Sequence, residues 1–258
     1  MSANDPGQTP LQSVGAWSTN ISVPKIVLAI GAHPDDIEFG CGGTLAKWSS
    51  AGSIVHHLVL TDGSKGTWNP DADITALIAQ RQIEQSNAAR ALGATGSVIF
   101  LGHTDGELVH SPAVVEQICL HIRQLKPDVV LTHDPWKRYR LHPDHRNAGM
   151  NTCDAIVAAR DPHFLRHQIV ELGAQHHRPD ALLLWEADEA NHAEDVSVFV
   201  DIKLDALLKH ASQFESTMKA TDDSGIKKFR ERIQERMTEL GVPYSFDAAE
   251  VFHYMNRL

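Results

Sequence analysis

Cationic residues are in short supply in this chain. Lys and Arg total 23 against 33 Asp and Glu, a net charge of −10. The average surface therefore repels phosphate backbones and anionic headgroups, which argues against nucleic acid and membranes as partners. Cysteine is scarcer still. Cys41, Cys119 and Cys153 are odd in number and too far apart for a disulfide scaffold or a zinc ribbon, which fits a reducing, cytoplasmic setting. No apolar run reaches the roughly 18 to 20 residues that a membrane span needs. The first 23 residues mix Ser, Asn, Pro, Gly and Gln and lack the basic start and apolar stretch of a secretion signal. They are expected to form a flexible or loosely docked tail, with residues 24–258 as a single domain. A hydrophobic share of 42% over 258 residues is enough for a buried core.

What is present is an alternation of strand-like and helix-like segments. Lys25 to Gly31 is a short apolar run rich in β-branched residues, as in a strand buried on both faces. A loop is expected from Ala32 to Gly42, a helix from Gly43 to Gly52 and a strand from Ser53 to Thr61. The pattern repeats with a helix near Asp73 to Leu92, a strand at Ser97 to Leu101, a helix opened by Ser111 and Pro112, and a strand at Asp128 to Thr132. A helix after His145, strands at Ala181 to Trp185 and Val196 to Val200, and helices near Ile202 to Met218 and Gly225 to Leu240 complete the reading. Parallel strands need crossover helices, so the expected class is α/β: a Rossmann-like three-layer sandwich with a mainly parallel central sheet. In such folds the site lies beyond the carboxyl ends of the strands.

Two clusters fall there. Gly31-Ala-His33-Pro-Asp35-Asp36 follows the first strand, and Thr132-His133-Asp134 with His142-Pro-Asp144-His145 follows the fourth. A hydrolytic zinc needs about three His or carboxylate ligands and one position left open for water. His33, Asp36 and His145 supply that set, the first two curling round one ion and the third arriving from a neighbouring strand. Asp35 is left free as the general base. His142 is the candidate oxyanion stabiliser and leaving-group acid, and in an extended stretch Asp144 would point the same way and fix its tautomer. Fe(II), Mn(II) and Co(II) accept similar ligands.

These residues, together with Gly40-Cys-Gly-Gly-Thr44, Arg81 and Glu84, Leu101-Gly-His-Thr-Asp105-Gly106 and His210-Ala-Ser-Gln213, resemble the PIG-L/LmbE family of zinc-dependent N-deacetylases over roughly Lys25 to Met218. The resemblance implies the same metal ligands and base, with Arg81 and Asp105 touching sugar hydroxyls. It also implies a small N-acetylglucosaminyl conjugate as substrate. Many members continue Ala-His-Pro-Asp-Asp-Glu, whereas here Ile37 precedes Glu38. The basic loop Lys137 to Arg140 suggests an alternative on the same scaffold, a hydratase of an unsaturated dicarboxylic or tricarboxylic acid, with Arg140 as the substrate contact. Assembly into a homo-oligomer is compatible with either.

Plainer readings stand beside these. Cys41 within a glycine-rich helix start is expected to be a small packed residue. Arg81 and Glu84, three apart on a helix, could form an intrahelical ion pair. The His56-His57 pair reads as surface or satisfied core, and the basic and acidic residues from Lys227 to Arg236 read as a solvated helix face.

Overall fold

A computed structural model describes residues 17–256 and Leu258. Most of the expected tail, residues 1–16, lies outside the described residues. The remainder is docked, with β1 (Ser18–Thr19) pairing in parallel with β7 (His192–Asp195) at the edge of the sheet.

The other strands are β2 (Ile26–Gly31), β3 (Ile54–Thr61), β4 (Val98–His103), β5 (Val129–His133), β6 (Ala181–Trp185) and β8 (Ala249–Met255). They form one sheet in the order β1-β7-β8-β6-β5-β2-β3-β4. The run from β6 to β4 is parallel throughout, and β8 is antiparallel to both of its neighbours. Among the described residues, no helix is long and apolar enough to cross a membrane.

Alternation along β2 builds the three layers. Leu28 and Ile30 face a cluster shared with Ile118 and Ile122 of α3 (Pro112–Leu125) and Ala155 of α4 (Pro143–Arg160). Val27 and Ala29 face the opposite cluster, with Leu45 and Trp48 of α1 (Asp36–Ser50), Ala88 of α2 (Ile74–Ala91) and Ala206 of α6 (Val200–Leu207). A strand buried on both faces must read as a continuous apolar run, as this one does. Between α4 and α6 lies the short α5 (Arg166–Val170), and α7 (Asp223–Gly241) packs near the end of the chain.

The chain runs β2, β3, β4 outward on one side, then crosses to β5 and β6 on the other. The strand order reverses between β2 and β5, which opens a crevice at their carboxyl ends.

Four expectations are corrected. The expected loop Ala32 to Gly42 is helical from Asp36 onward, and α1 runs through the glycines with a break at Cys41, where φ is −149°. The break is held from outside. Glu250 on β8 accepts hydrogen bonds from the N–H groups of Gly43 (2.9 Å) and Thr44 (2.7 Å), satisfying donors that a helix start leaves free. Buried Lys203 neutralises this carboxylate at 2.6 Å. The expected strand Val196 to Val200 is instead a 3-10 turn, because the Asp195 carboxylate accepts from the N–H and hydroxyl of Ser197 and stops β7 there. The long helix to Met218 ends at Leu207 and continues as 3-10 and π-helical turns. The pull comes from α2, where Glu84 accepts from the Ser212 backbone and hydroxyl. Finally, α4 begins before His145, with Pro143 in its first turn and His142 as its N-cap.

Gly40 has a specific reason. A Cβ there would lie 2.5 to 2.7 Å from the indole of Trp185, which is 1% exposed and cannot yield. Gly40→Ala is expected to destabilise the fold by about 1–3 kcal/mol, as overpacking does. Urea denaturation would show this as a lower midpoint at unchanged slope.

Candidate metal centre and active site

Both predicted clusters converge on the crevice between β2 and β5. The chain turns sharply after Gly31 because Asp36, in the first turn of α1, folds back. One oxygen of its carboxylate (Oδ2) accepts from the His33 N–H at 2.7 Å. A Cβ at Gly31 would come within 3.1 Å of the Asp36 side chain, which favours glycine there.

The three expected donors face one another. His33 Nδ1 lies 3.2 Å from the Asp36 carboxylate and 3.2 Å from His145 Nε2, and His145 Nε2 lies 3.3 Å from Asp36. Ligands held 2.0–2.1 Å from a tetrahedral ion stand about 3.3–3.4 Å apart. Two imidazole nitrogens and a carboxylate at these separations therefore have the chemistry and the size of a transition-metal site.

Three other groups of close donors overlap this set, His33-His142-His145, Asp36-His133-His145 and His33-Asp105-Asp144, and the surrounding hydrogen bonds distinguish His33 from His133 and His142. His33 Nε2 meets two carboxylates, Asp144 at 3.1 Å and Asp105 at 3.2 Å, so a neutral ring carries its proton on that side and turns its Nδ1 lone pair to an ion. His133 Nδ1 accepts from the Trp185 indole N–H at 3.0 Å. Its proton is then on Nε2, which faces Asp36 at 3.2 Å, and neither nitrogen has a lone pair to offer. The His142 Nδ1 accepts from the Asp144 N–H at 3.3 Å, which leaves its proton on Nε2 in the neutral ring.

The electrostatics follow from this crowding. Burial works against a charge on Asp36, yet His145, His133 and His33 outweigh it and hold the carboxyl well below the usual range. Burial pushes the His133 ring down to about 4 against the pull of Asp36, so it stays neutral. Burial pushes Asp35 up to about 6, with the Arg81 guanidinium opposing and the Asp36 charge adding to the rise.

Asp35, His142 and Asp105 line the same cavity of about 470 Å³ as His33, Asp36 and His145. Asp35 sits at φ +102°, outside the region that non-glycine residues ordinarily occupy, and its carboxylate lies 3.6 Å from Arg81. The His142 ring stacks on His145 with centroids 4.7 Å apart.

Asp144 departs from its expected position. Its residue lies on a helix and not in an extended stretch, so its carboxylate turns away from the His142 ring. It accepts instead from His33 Nε2 and from the N–H groups of Gly106 (2.6 Å) and Leu108 (3.2 Å). Arg140 is also displaced. Its guanidinium lies 3.3 Å from Nδ1 of both His133 and His145 and pairs with Glu186 at 2.9 Å, and it is absent from the cavity wall. A buried cation needs a carboxylate partner, and Glu186 supplies it. Arg81 does reach the wall, but its terminal nitrogens donate to the carbonyls of Gly63 (2.8 Å) and Pro34 (2.6 Å). Cys41 is buried, as a packed residue should be, and its thiol donates to the Ile37 carbonyl.

Gln213, from the motif His210-Ala-Ser-Gln213, borders the cavity, and so do His133, Trp185, Glu186 and Lys65, to which sequence reasoning assigned no role. His133 could have been found from its place at the end of β5. The others arrive from distant elements and carry no local signal.

Comparison with known proteins bears on what this cavity does. The family model for GlcNAc-PI de-N-acetylases, PIG-L, matches residues 28–156, that is 129 of 258 residues. A diacetylchitobiose deacetylase of Thermococcus kodakarensis is 36% identical over 190 residues, covering 74% of this chain and 70% of that protein. The chain belongs to the PIG-L family. As a PIG-L protein it is a hydrolase of the N-deacetylase class. The N,N'-diacetylchitobiose deacetylase from Pyrococcus horikoshii superposes with a TM-score of 0.82 at 29% identity, over 90% of this chain and 84% of that one. GalB, the 4-carboxy-2-hydroxymuconate hydratase from Pseudomonas putida KT2440, shares the PIG-L fold at a TM-score of 0.71 over 91% of this chain and 98% of that one. At 18% identity the likeness is one of fold alone.

Proposed function

We propose that this chain is a zinc-dependent N-deacetylase that hydrolyses the acetamide of a small N-acetylglucosaminyl compound in the cytoplasm, with residues 24–258 acting as one catalytic domain. The observation that carries the reading is the triangle of His33 Nδ1, Asp36 and His145 Nε2, 3.2–3.3 Å on a side, with a free carboxylate from Asp35 beside it. The cavity wall carries four carboxylates, Asp35, Asp36, Asp105 and Glu186, which two cations, Lys65 and Arg81, and a divalent ion would together neutralise. That balance suits a neutral sugar better than a dicarboxylate or tricarboxylate.

In this reading His33, Asp36 and His145 hold the ion, which when bound polarises the acetamide carbonyl and acidifies water. Asp35 takes a proton from the attacking water as its oxygen bonds to the carbonyl carbon. His142 presents Nε2–H to the carbonyl oxygen as negative charge develops there, and the proton that Asp35 has taken from water passes to the nitrogen as the C–N bond breaks. Burial holds the His142 ring below the usual histidine pKa, so it meets the carbonyl oxygen as a neutral donor. Asp144 keeps His33 in the tautomer that aims Nδ1 at the ion. Asp105 and Arg81 border the space where sugar hydroxyls would lie. The products are acetate and a free amine.

The test is acetate release from a panel of N-acetylglucosaminyl conjugates by protein carrying one metal ion per chain. Activity is expected with at least one of them, lost on chelation and restored best by Zn(II). Stoichiometric metal without acetate from any of them would remove the substrate class and leave the metal site standing.

A further inference from the structure

Asp35 occupies a backbone conformation that an aspartate does not choose by itself, φ +102° and ψ −25°. Something must hold it there. The peptide unit that joins Pro34 to Asp35 is gripped at both ends by one helix. Arg81 Nη2 donates to its carbonyl, Pro34 O, at 2.6 Å, and Gln85 Oε1 accepts from its N–H, Asp35 N, at 2.9 Å. Arg81 and Gln85 are four residues apart on α2 and therefore on the same face of the helix. In a planar peptide the C=O and N–H point in opposite directions, so two such bonds fix the orientation of the plane.

Gln85 is itself immobilised. It is fully buried, and its amide nitrogen donates to Glu38 Oε1 at 2.8 Å and lies 3.2 Å from His57 Nδ1. Glu38 and His57 are fully buried as well, and His210 closes the array at 3.3 Å from Glu38. These contacts leave the amide oxygen, and not the nitrogen, facing the Asp35 N–H. None of the three side chains behind Gln85 borders the cavity.

We infer that Arg81 and Gln85 form a peptide clamp that aims the Asp35 carboxylate, with Gln85 as a positioning residue that never touches substrate. The inference rests on the reading of Asp35 as the base. If the clamp is lost, the peptide plane can rotate and the carboxylate leaves the geometry that proton transfer requires, while the metal donors and the substrate walls stay in place. The loss should fall on kcat and spare KM.

Two variants and two readouts test this. Gln85→Met keeps the length of the side chain and removes both polar atoms. Gln85→Glu keeps an oxygen for the Asp35 N–H and, with its other oxygen sharing a proton with Glu38, keeps the second contact as well. In metal-loaded protein, Gln85→Met is expected to lower kcat about tenfold, the scale of one buried hydrogen bond, with KM within about twofold. Gln85→Glu should stay within about threefold of the parent kcat. Hydrogen exchange at the Asp35 amide should be slow in the parent and at least about tenfold faster in Gln85→Met. A folded, metal-loaded Gln85→Met with parental kcat and parental amide protection would overturn the clamp. So would equal losses of kcat in the two variants. If the parent released no acetate at all, the exchange rates would still decide the clamp, separately from the fate of the proposed reaction.

Discussion

Replacing Asp35 by Asn is expected to lower the rate of acetate release by about 10²- to 10⁴-fold while the protein keeps one metal ion per chain. The asparagine fills the same volume and tolerates positive φ at least as well as aspartate, so the turn at φ +102° survives. Asp35 stands outside the donor triangle and pairs with Arg81 at 3.6 Å, so the metal is expected to stay bound without it. What disappears is the only carboxylate of the pair Asp35 and Asp36 free to accept a proton from water. Metal content by elemental analysis and acetate by coupled assay, on the same sample, check both halves of the expectation. A variant that retained more than a tenth of the parental rate would remove Asp35 from the role of base.

Replacing His145 by Ala is expected to reduce bound metal to below about a tenth of an equivalent and to take activity below detection, since two protein donors rarely hold such an ion. The fold should survive. The His145 side chain is 25% exposed at the crevice mouth, and its loss opens space to solvent instead of a sealed cavity. Unchanged circular dichroism together with absent metal would establish a ligand role. Retained stoichiometric metal would shift the choice to the group of close donors that lacks His145, His33-Asp105-Asp144.

The strands and the residues at their ends were legible because both depend on local pattern. β2 and β5 are short apolar runs buried on both faces, and the polar residues that follow them fall at the crevice for topological reasons. Asp144 was misread at the level of period: residues two apart share a side in a strand but not at a helix start, where Pro143 had signalled a first turn. Arg140 was read as a substrate contact because a basic loop beside a site suggests an anion, and the carboxylate that occupies it, Glu186, lies 46 residues later in the chain. The same holds for the break in α1. Nothing near Cys41 indicates that Glu250 will cap the second half of the helix from the far end of the chain. Gly40, Gly42 and Gly43 lie against Trp185, Lys203 and Val196 respectively, partners that the local sequence does not bring into view.

The reversal of strand order between β2 and β5 also has a bearing on how the protein is made. On the proposed ligand set, two donors emerge from the ribosome near residue 36 and the third only after residue 145, and they meet only when β5 has docked against β2 along Val27 to Ile30. The nascent amino-terminal half thus holds an incomplete chelate. Affinity for the ion rises steeply at a late event, the closing of a loop of about a hundred residues, and ion capture then stabilises the joined halves against reopening. Metal uptake would then double as a checkpoint on assembly.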